Sequence, residues 1–135
     1  MAHSTKIKVR GYHIDLYKHV NNARYLEFLE EARWAMLDDL VDREKWHSEG
    51  FGLSVVNINI NYRQPAKMGD CLDIHSNLSR IGNKSVVIEQ RIVLSGGTKV
   101  VAEAQVTFVV VDEQSGRAIP ITNKIKSRLM QLDQG

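Results

Sequence analysis

The sequence has a single cysteine, Cys71, so no disulfide can close within the chain. That suits a reducing compartment, and the expectation is a cytoplasmic protein with Cys71 as a small buried apolar group. No apolar run approaches the length of a membrane crossing, and residues 1–10 lack the continuous apolar stretch of a secretory signal, so neither a membrane span nor secretion is expected. Charge of one sign is also missing. Lys and Arg number 18 against 16 Asp and Glu, a net charge of +2 scattered along the chain, without the dense basic stripe that nucleic-acid binding requires. Closely spaced Cys and His ligands are absent. His13 and His19 share one loop, but two histidines without a third ligand do not make a metal site, and none is expected.

What remains is an ordinary globular balance, 43% apolar and 25% charged over 135 residues, which fits one domain spanning 1–135. From Ala23 to Leu40 the residues Tyr25, Phe28, Leu29, Ala32 and Met36 recur at helical spacing. Leu26, Trp34 and Leu37 widen that apolar stripe, so the helix is expected to be covered around much of its circumference. Asn21 or Asn22 caps its start by accepting from first-turn amides.

After Gly50 the period becomes two. Val56, Ile58, Ile60 and Tyr62 alternate with Asn57, Asn59, Asn61 and Arg63, which predicts a strand. Further strands follow over Cys71–Leu78, Ser85–Leu94 and Lys99–Val111, with turns at Gly82-Asn83 and Gly96-Gly97. A first strand near Lys6–Val9 and a last helix over Asn123–Leu132, capped by Thr122, complete the order. Short turns imply antiparallel neighbours, and a helix this apolar needs a sheet to cover it. The expected architecture is α+β: a curved antiparallel sheet around one long central helix.

Chemistry concentrates just before that helix. Arg10 to Tyr25 holds Asp15, two histidines, three tyrosines and two asparagines. A helix N-terminus carries partial positive charge and free N–H donors, suited to an oxyanion formed by attack on a carbonyl. Asp15 would attack that carbonyl itself or activate a water. On the residues alone the plainer readings are stronger: Asp15 as a turn residue, Asn21 or Asn22 as a simple cap, His19 as a loop anchor. No serine or cysteine sits in an elbow motif. Glu31, beside Glu27 and Glu30, reads as part of a solvated face.

The stretch Val9–Trp34, VRGYHIDLYKHVNNARYLEFLEEARW, resembles the signature of hotdog-fold thioesterases of the 4-hydroxybenzoyl-CoA thioesterase type, and within them the bacterial long-chain acyl-CoA branch. The resemblance continues through NININYRQPAKMGDCLDI, GNKSVVIEQ and AEAQVTFVVVD. It implies Asp15 as nucleophile or general base, and a backbone amide near Asn22 that grips the thioester carbonyl. His19 and Tyr25 are implied as secondary site residues, with Asn21 bracing the loop. His13 and Lys18 depart from the family's Asp-x-Asp-x-x-Gly-His pattern, standing for the first Asp and the Gly, which puts loop geometry and substrate preference in question more than activity.

The substrate implied is a medium- to long-chain fatty acyl-CoA, with coenzyme A entering only as part of the substrate and no other cofactor. An aromatic acyl-CoA is the nearer alternative, and a non-catalytic acyl-CoA or acyl-carrier binding module on the same fold is a further one. A site for coenzyme A needs cations at its mouth, for which Arg63, Arg80 and Lys84 are candidates, Lys84 by resemblance. Val55, Val56, Ile58, Phe51 and Phe28 are candidates for an acyl pocket. The resemblance also implies a homodimer or homotetramer with sheets paired edge to edge.

Overall fold

The change from helical to alternating apolar period at Gly50 divides a mainly helical first part from the sheet. The computed structural model describes residues 2–133; residues 1, 134 and 135, the ends of the unit expected over 1–135, lie outside the described residues. Strand β1 (His3–Lys8) leads into the long helix α1 (Asn22–Leu40), followed by a short helix α2 (Arg43–Ser48). Four strands come next: β2 (Phe51–Tyr62), β3 (Cys71–Ile81), β4 (Ser85–Leu94) and β5 (Val100–Asp112). Helix α3 (Asn123–Leu129) and a 3-10 turn (Met130–Leu132) end the described chain where one helix over Asn123–Leu132 was expected. Thr122 caps α3 by accepting from the Ile125 amide.

The strands form one antiparallel sheet in the order β1-β3-β4-β5-β2, so β1 and β2 are its edges. Alternation sorts its faces. Leu72, Ile74 and Ser76 of β3, Val86, Ile88, Gln90 and Ile92 of β4, and Ala102, Ala104, Val106, Phe108 and Val110 of β5 are buried. Tyr25, Phe28, Leu29, Ala32 and Met36 of α1 pack in the same core.

That core has two apolar lobes with a polar layer between them. Phe28, Leu29, Ile74 and Ile92 belong to one lobe, Met36, Val86, Ile88 and Phe108 to the other. At the junction the Arg33 guanidinium donates to Gln90 Oε1 at 3.0 Å, and Gln90 Nε2 donates to the Leu29 carbonyl and to Ser76 Oγ. Arg33, Gln90 and Ser76 are all buried, and Arg33 also lies 5.7 Å from the centre of the Phe108 ring. Desolvation pulls the Arg33 pKa below its ordinary value, so this layer holds its cation by hydrogen bonding and stacking.

Several local expectations change. Helix α2 was not expected; Asp42 starts it by accepting from the Lys45 amide, and Trp46 packs 5.4 Å from the Phe51 ring. The regular alternation through Val56 is broken by a bulge, because Val55 pairs with Phe108 but Asn57 with Thr107. The extra residue, Val56, is left exposed. Leu26 and Trp34 are exposed too, so α1 is covered over a narrower arc than expected, with Trp34 lying under the Arg43 guanidinium. Cys71 is exposed rather than buried: it opens β3 opposite Lys8, and alternation gives the buried position to Leu72.

Candidate active site

A hairpin-like loop holds Asp15 beside the start of α1. Ile14 and Val20 pair across it, and the Asp15 amide donates to the His19 carbonyl at 3.0 Å. The Lys18 amide closes a tight turn onto the Asp15 carbonyl, and the Tyr17 amide donates to Asp15 Oδ1 at 2.9 Å. This turn requires left-handed backbone at Lys18, whose φ is +65°. The carboxylate is therefore held by one oxygen. Oδ2 has no hydrogen-bond partner among the described residues.

The helix start is equally specific. Asn21 is the cap: its Oδ1 accepts from the Ala23 amide and its carbonyl from the Arg24 amide. The Asn22 amide, first in the helix, has no partner among the described residues, so one donor stays open at the positive end of α1. The Asn21 amide donates to the His13 carbonyl, which fastens the cap to the Asp15 loop.

Supporting side chains come from farther away. Tyr25 is buried, and its hydroxyl accepts from the Ala66 amide at 3.2 Å, while the Ala66 carbonyl accepts from the Val20 amide. Burial is the main cause that raises the Tyr25 pKa, and Asp15 is close enough to add to the shift. The Tyr62 hydroxyl, at the end of β2, donates to the Asn22 carbonyl at 3.1 Å. His13 Nδ1 accepts from the Arg10 amide at 2.8 Å, and its ring meets Phe28 edge-on at 4.8 Å. Burial, then Arg24, lowers the His13 pKa, in keeping with a neutral ring whose Nδ1 accepts. His13 thus braces the loop. His19 is half-buried, and its ring has no hydrogen-bond partner among the described residues.

Residues 9–129 of the sequence match the family model described as the thioesterase-like superfamily. The chain belongs to the thioesterase-like superfamily. It is 46% identical to the long-chain acyl-CoA thioesterase FadM of Escherichia coli K12 over 128 residues, 95% of this chain and 97% of that relative. It is 32% identical to the acyl-CoA thioester hydrolase YbgC of Escherichia coli O6:H1 over 104 residues, covering 75% of this chain and 77% of the relative. The crystal structure of the probable thioesterase YbaW from Escherichia coli superimposes with a TM-score of 0.91 at 46% identity, over 97% of this chain and 98% of that one. The sheet around one helix is the hotdog fold of this superfamily, as expected from the resemblance.

Asp15, His19, Asn21, Asn22 and Tyr25 are brought to one end of the sheet. Two of the three cations, Arg80 and Lys84, are not brought together with them. Arg63 follows β2 at that end, but its guanidinium is engaged by Glu103. Arg80 and Lys84 are exposed at the β3–β4 turn, separated from the Asp15 end by the length of β3, roughly 30 Å for eleven residues. The apolar candidates also divide: Phe28 lies in one lobe, Phe51 in the other, and Val55 and Val56 are exposed. Glu31 is exposed, as expected. Tyr62 and Ala66 are the site neighbours that sequence reasoning missed. Among the described residues there is no group of three or more potential metal-ligating side chains, and no helix is long and apolar enough to cross a membrane.

Proposed function

We propose that this chain hydrolyses acyl-CoA thioesters of medium to long fatty acyl length, using Asp15 and the Asn22 amide. The observation that carries the reading is the division of labour at the cap. Asn21 occupies the Ala23 and Arg24 amides and leaves the Asn22 amide open, beside a loop that presents a carboxylate with one oxygen free. The identity with a relative named for long-chain acyl-CoA supports the acyl class.

In this mechanism the thioester carbonyl oxygen rests on the Asn22 amide. Asp15 takes a proton from water as the water oxygen bonds to the carbonyl carbon, and the Asn22 N–H holds the oxyanion that forms. Collapse of the intermediate breaks the carbon–sulfur bond, and the proton on Asp15 passes to the departing thiolate. The products are the free acid and coenzyme A. Direct attack by Asp15, giving an anhydride that water then opens, uses the same two groups. The reaction asks for a carboxylate, an amide and water, and for no metal or redox group. His19 and Tyr25 line the site, with Tyr25 held through Ala66. We assign the working unit to residues 1–135, acting in the cytoplasm.

Edge pairing explains the distant cations. Twelve residues of β2 carry no charge, whereas the other edge, β1, carries Lys6 and Lys8. A second copy pairing antiparallel along β2 about a two-fold axis brings its β3–β4 turn toward the first copy's Asp15 end. Arg80 and Lys84 of the second copy then meet the phosphates of the substrate. Thiol release from acyl-CoAs of increasing chain length, and from an aromatic acyl-CoA, tests the reading. The expected result is turnover rising with chain length and falling roughly 100-fold or more in Asp15→Asn. Unchanged turnover in that variant would remove Asp15 from the mechanism.

A further inference from the structure

Two tyrosines cross between helix and sheet in opposite senses beside the open amide. Tyr25 comes from α1 and its hydroxyl ends on the backbone of Ala66, in the connection after β2. Tyr62 comes from β2 and its hydroxyl ends on the backbone of Asn22, the first residue of α1. Their rings lie 5.5 Å apart at a 53° tilt. Each element thus holds the other's main chain, and the residue held by Tyr62 is the one whose own N–H is unoccupied.

We infer that Tyr62 is a positioning residue for the carbonyl-binding amide, acting through its hydrogen bond to the Asn22 carbonyl; this rests on the hydrolysis reading above. The first residue of a helix lacks the backward amide bond that fixes interior residues, so its orientation depends on what else grips it. Asn21 grips the residues just after it by capping Ala23 and Arg24. Tyr62 grips Asn22 itself, from an element 40 residues away. An amide that must stay aimed as negative charge develops is worth most when it needs no reorientation. The backbone beyond Tyr62 is itself anchored, since the Arg63 amide donates to the Val101 carbonyl at 2.8 Å, so the hydroxyl is presented from a fixed strand end.

Tyr62→Phe isolates the effect, because the ring stays against Tyr25 while the hydroxyl goes. Two unreactive ligands read the amide without turnover: a ketone analogue of a fatty acyl-CoA, with a methylene between carbonyl and sulfur, and the S-alkyl thioether, which has no carbonyl. The variant is expected to bind the ketone about fivefold more weakly and the thioether as the native protein does. With acyl-CoA, whose carbonyl rests on the same amide before attack, KM is expected to rise with the ketone's dissociation constant, by up to about fivefold, and kcat to fall about tenfold, less than the 100-fold or more that follows loss of an oxyanion donor. Equal weakening of both ligands, or weakening of neither, would overturn the role of Tyr62. A native protein that prefers the ketone but releases no thiol would sink hydrolysis while leaving the positioning role standing. A native protein that binds both ligands alike would remove the amide, and Tyr62 with it.

Discussion

Lys18 occupies a backbone conformation that L-residues adopt at a cost of about 1 kcal/mol, and it does so to close the turn that presents Asp15. This explains why the family pattern has glycine there. Lys18→Gly is expected to raise stability by up to about 1 kcal/mol, less the entropy that glycine loses on folding, as measured by denaturant midpoint. Asn21→Ala removes the acceptor for the Ala23 amide and is expected to lower stability by about 1 kcal/mol. Because the cap also orders the helix start, thiol release should fall with it. A variant that loses stability but keeps full turnover would separate the cap from the site. At this scale the sequence was most legible where partners are close along the chain. Asp15 and Asn21 interact with residues within a few positions, so on the residues alone they read as a turn residue and a cap, and the resemblance supplied the roles proposed for them. Tyr62 read only as one member of an alternating strand, because its partner Asn22 is 40 residues away and no local pattern records that bond.

Helix α1 and strand β4 are joined through a buried cation, and the strength of that join depends on Gln90. It is at once the acceptor for Arg33 and the donor to Leu29 and Ser76. Gln90→Leu is expected to lower stability by roughly 3 kcal/mol, since it strands a guanidinium, a carbonyl and a hydroxyl together. Adding Arg33→Met should recover much of that loss, and a double-mutant cycle measures the coupling. Farther along, Glu49 at the end of α2 accepts from Arg128 of α3 at 2.8 Å and pairs with Lys124. The Arg128 hydrogen bond, then that of Lys124, lowers its pKa below the ordinary 4.5. A carboxyl depressed in the folded state adds stability that is present above the unfolded value and is lost as pH falls through the folded one. Unfolding midpoints of the native protein should therefore decline below about 4.5, and Glu49→Gln should flatten that acid limb. Element boundaries were legible for β4, whose Ser85–Leu94 limits match the alternation, and for α1 to within one residue. Helix α2 was missed because six residues show too little helical period, although Asp42 supplied the cap signal. The β2 bulge was missed because an extra residue in a Val-rich run leaves composition unchanged and shifts only the phase.

On the scale of the whole molecule, the two sheet edges differ. Lys6 and Lys8 lie on β1, and Lys6 is further committed to Asp73 at 2.9 Å. Strand β2 has no charged residue and exposes Val55, Val56 and Tyr62. On the proposed pairing along β2, with cations for the substrate supplied by the second copy, Val55→Lys is expected to yield a monomer by sedimentation and to raise KM more than it lowers kcat. A monomer with native KM would place phosphate recognition within one chain. The sheet and its central helix were readable because both periods are local. The edge we propose to pair was not, because which strands lie outermost is decided by the order β1-β3-β4-β5-β2, and that order appears only when the chain has folded.

The inequality of the edges also sets a count. A sheet with two receptive margins can add neighbours without limit, and the end of such growth is a fibre. Here one margin carries no charge and the other carries lysine, so the pairing we propose uses up the receptive margin of each participant in a single addition. On that proposal edgewise growth stops at two, and the same lysines that look like ordinary surface charge act as the terminator.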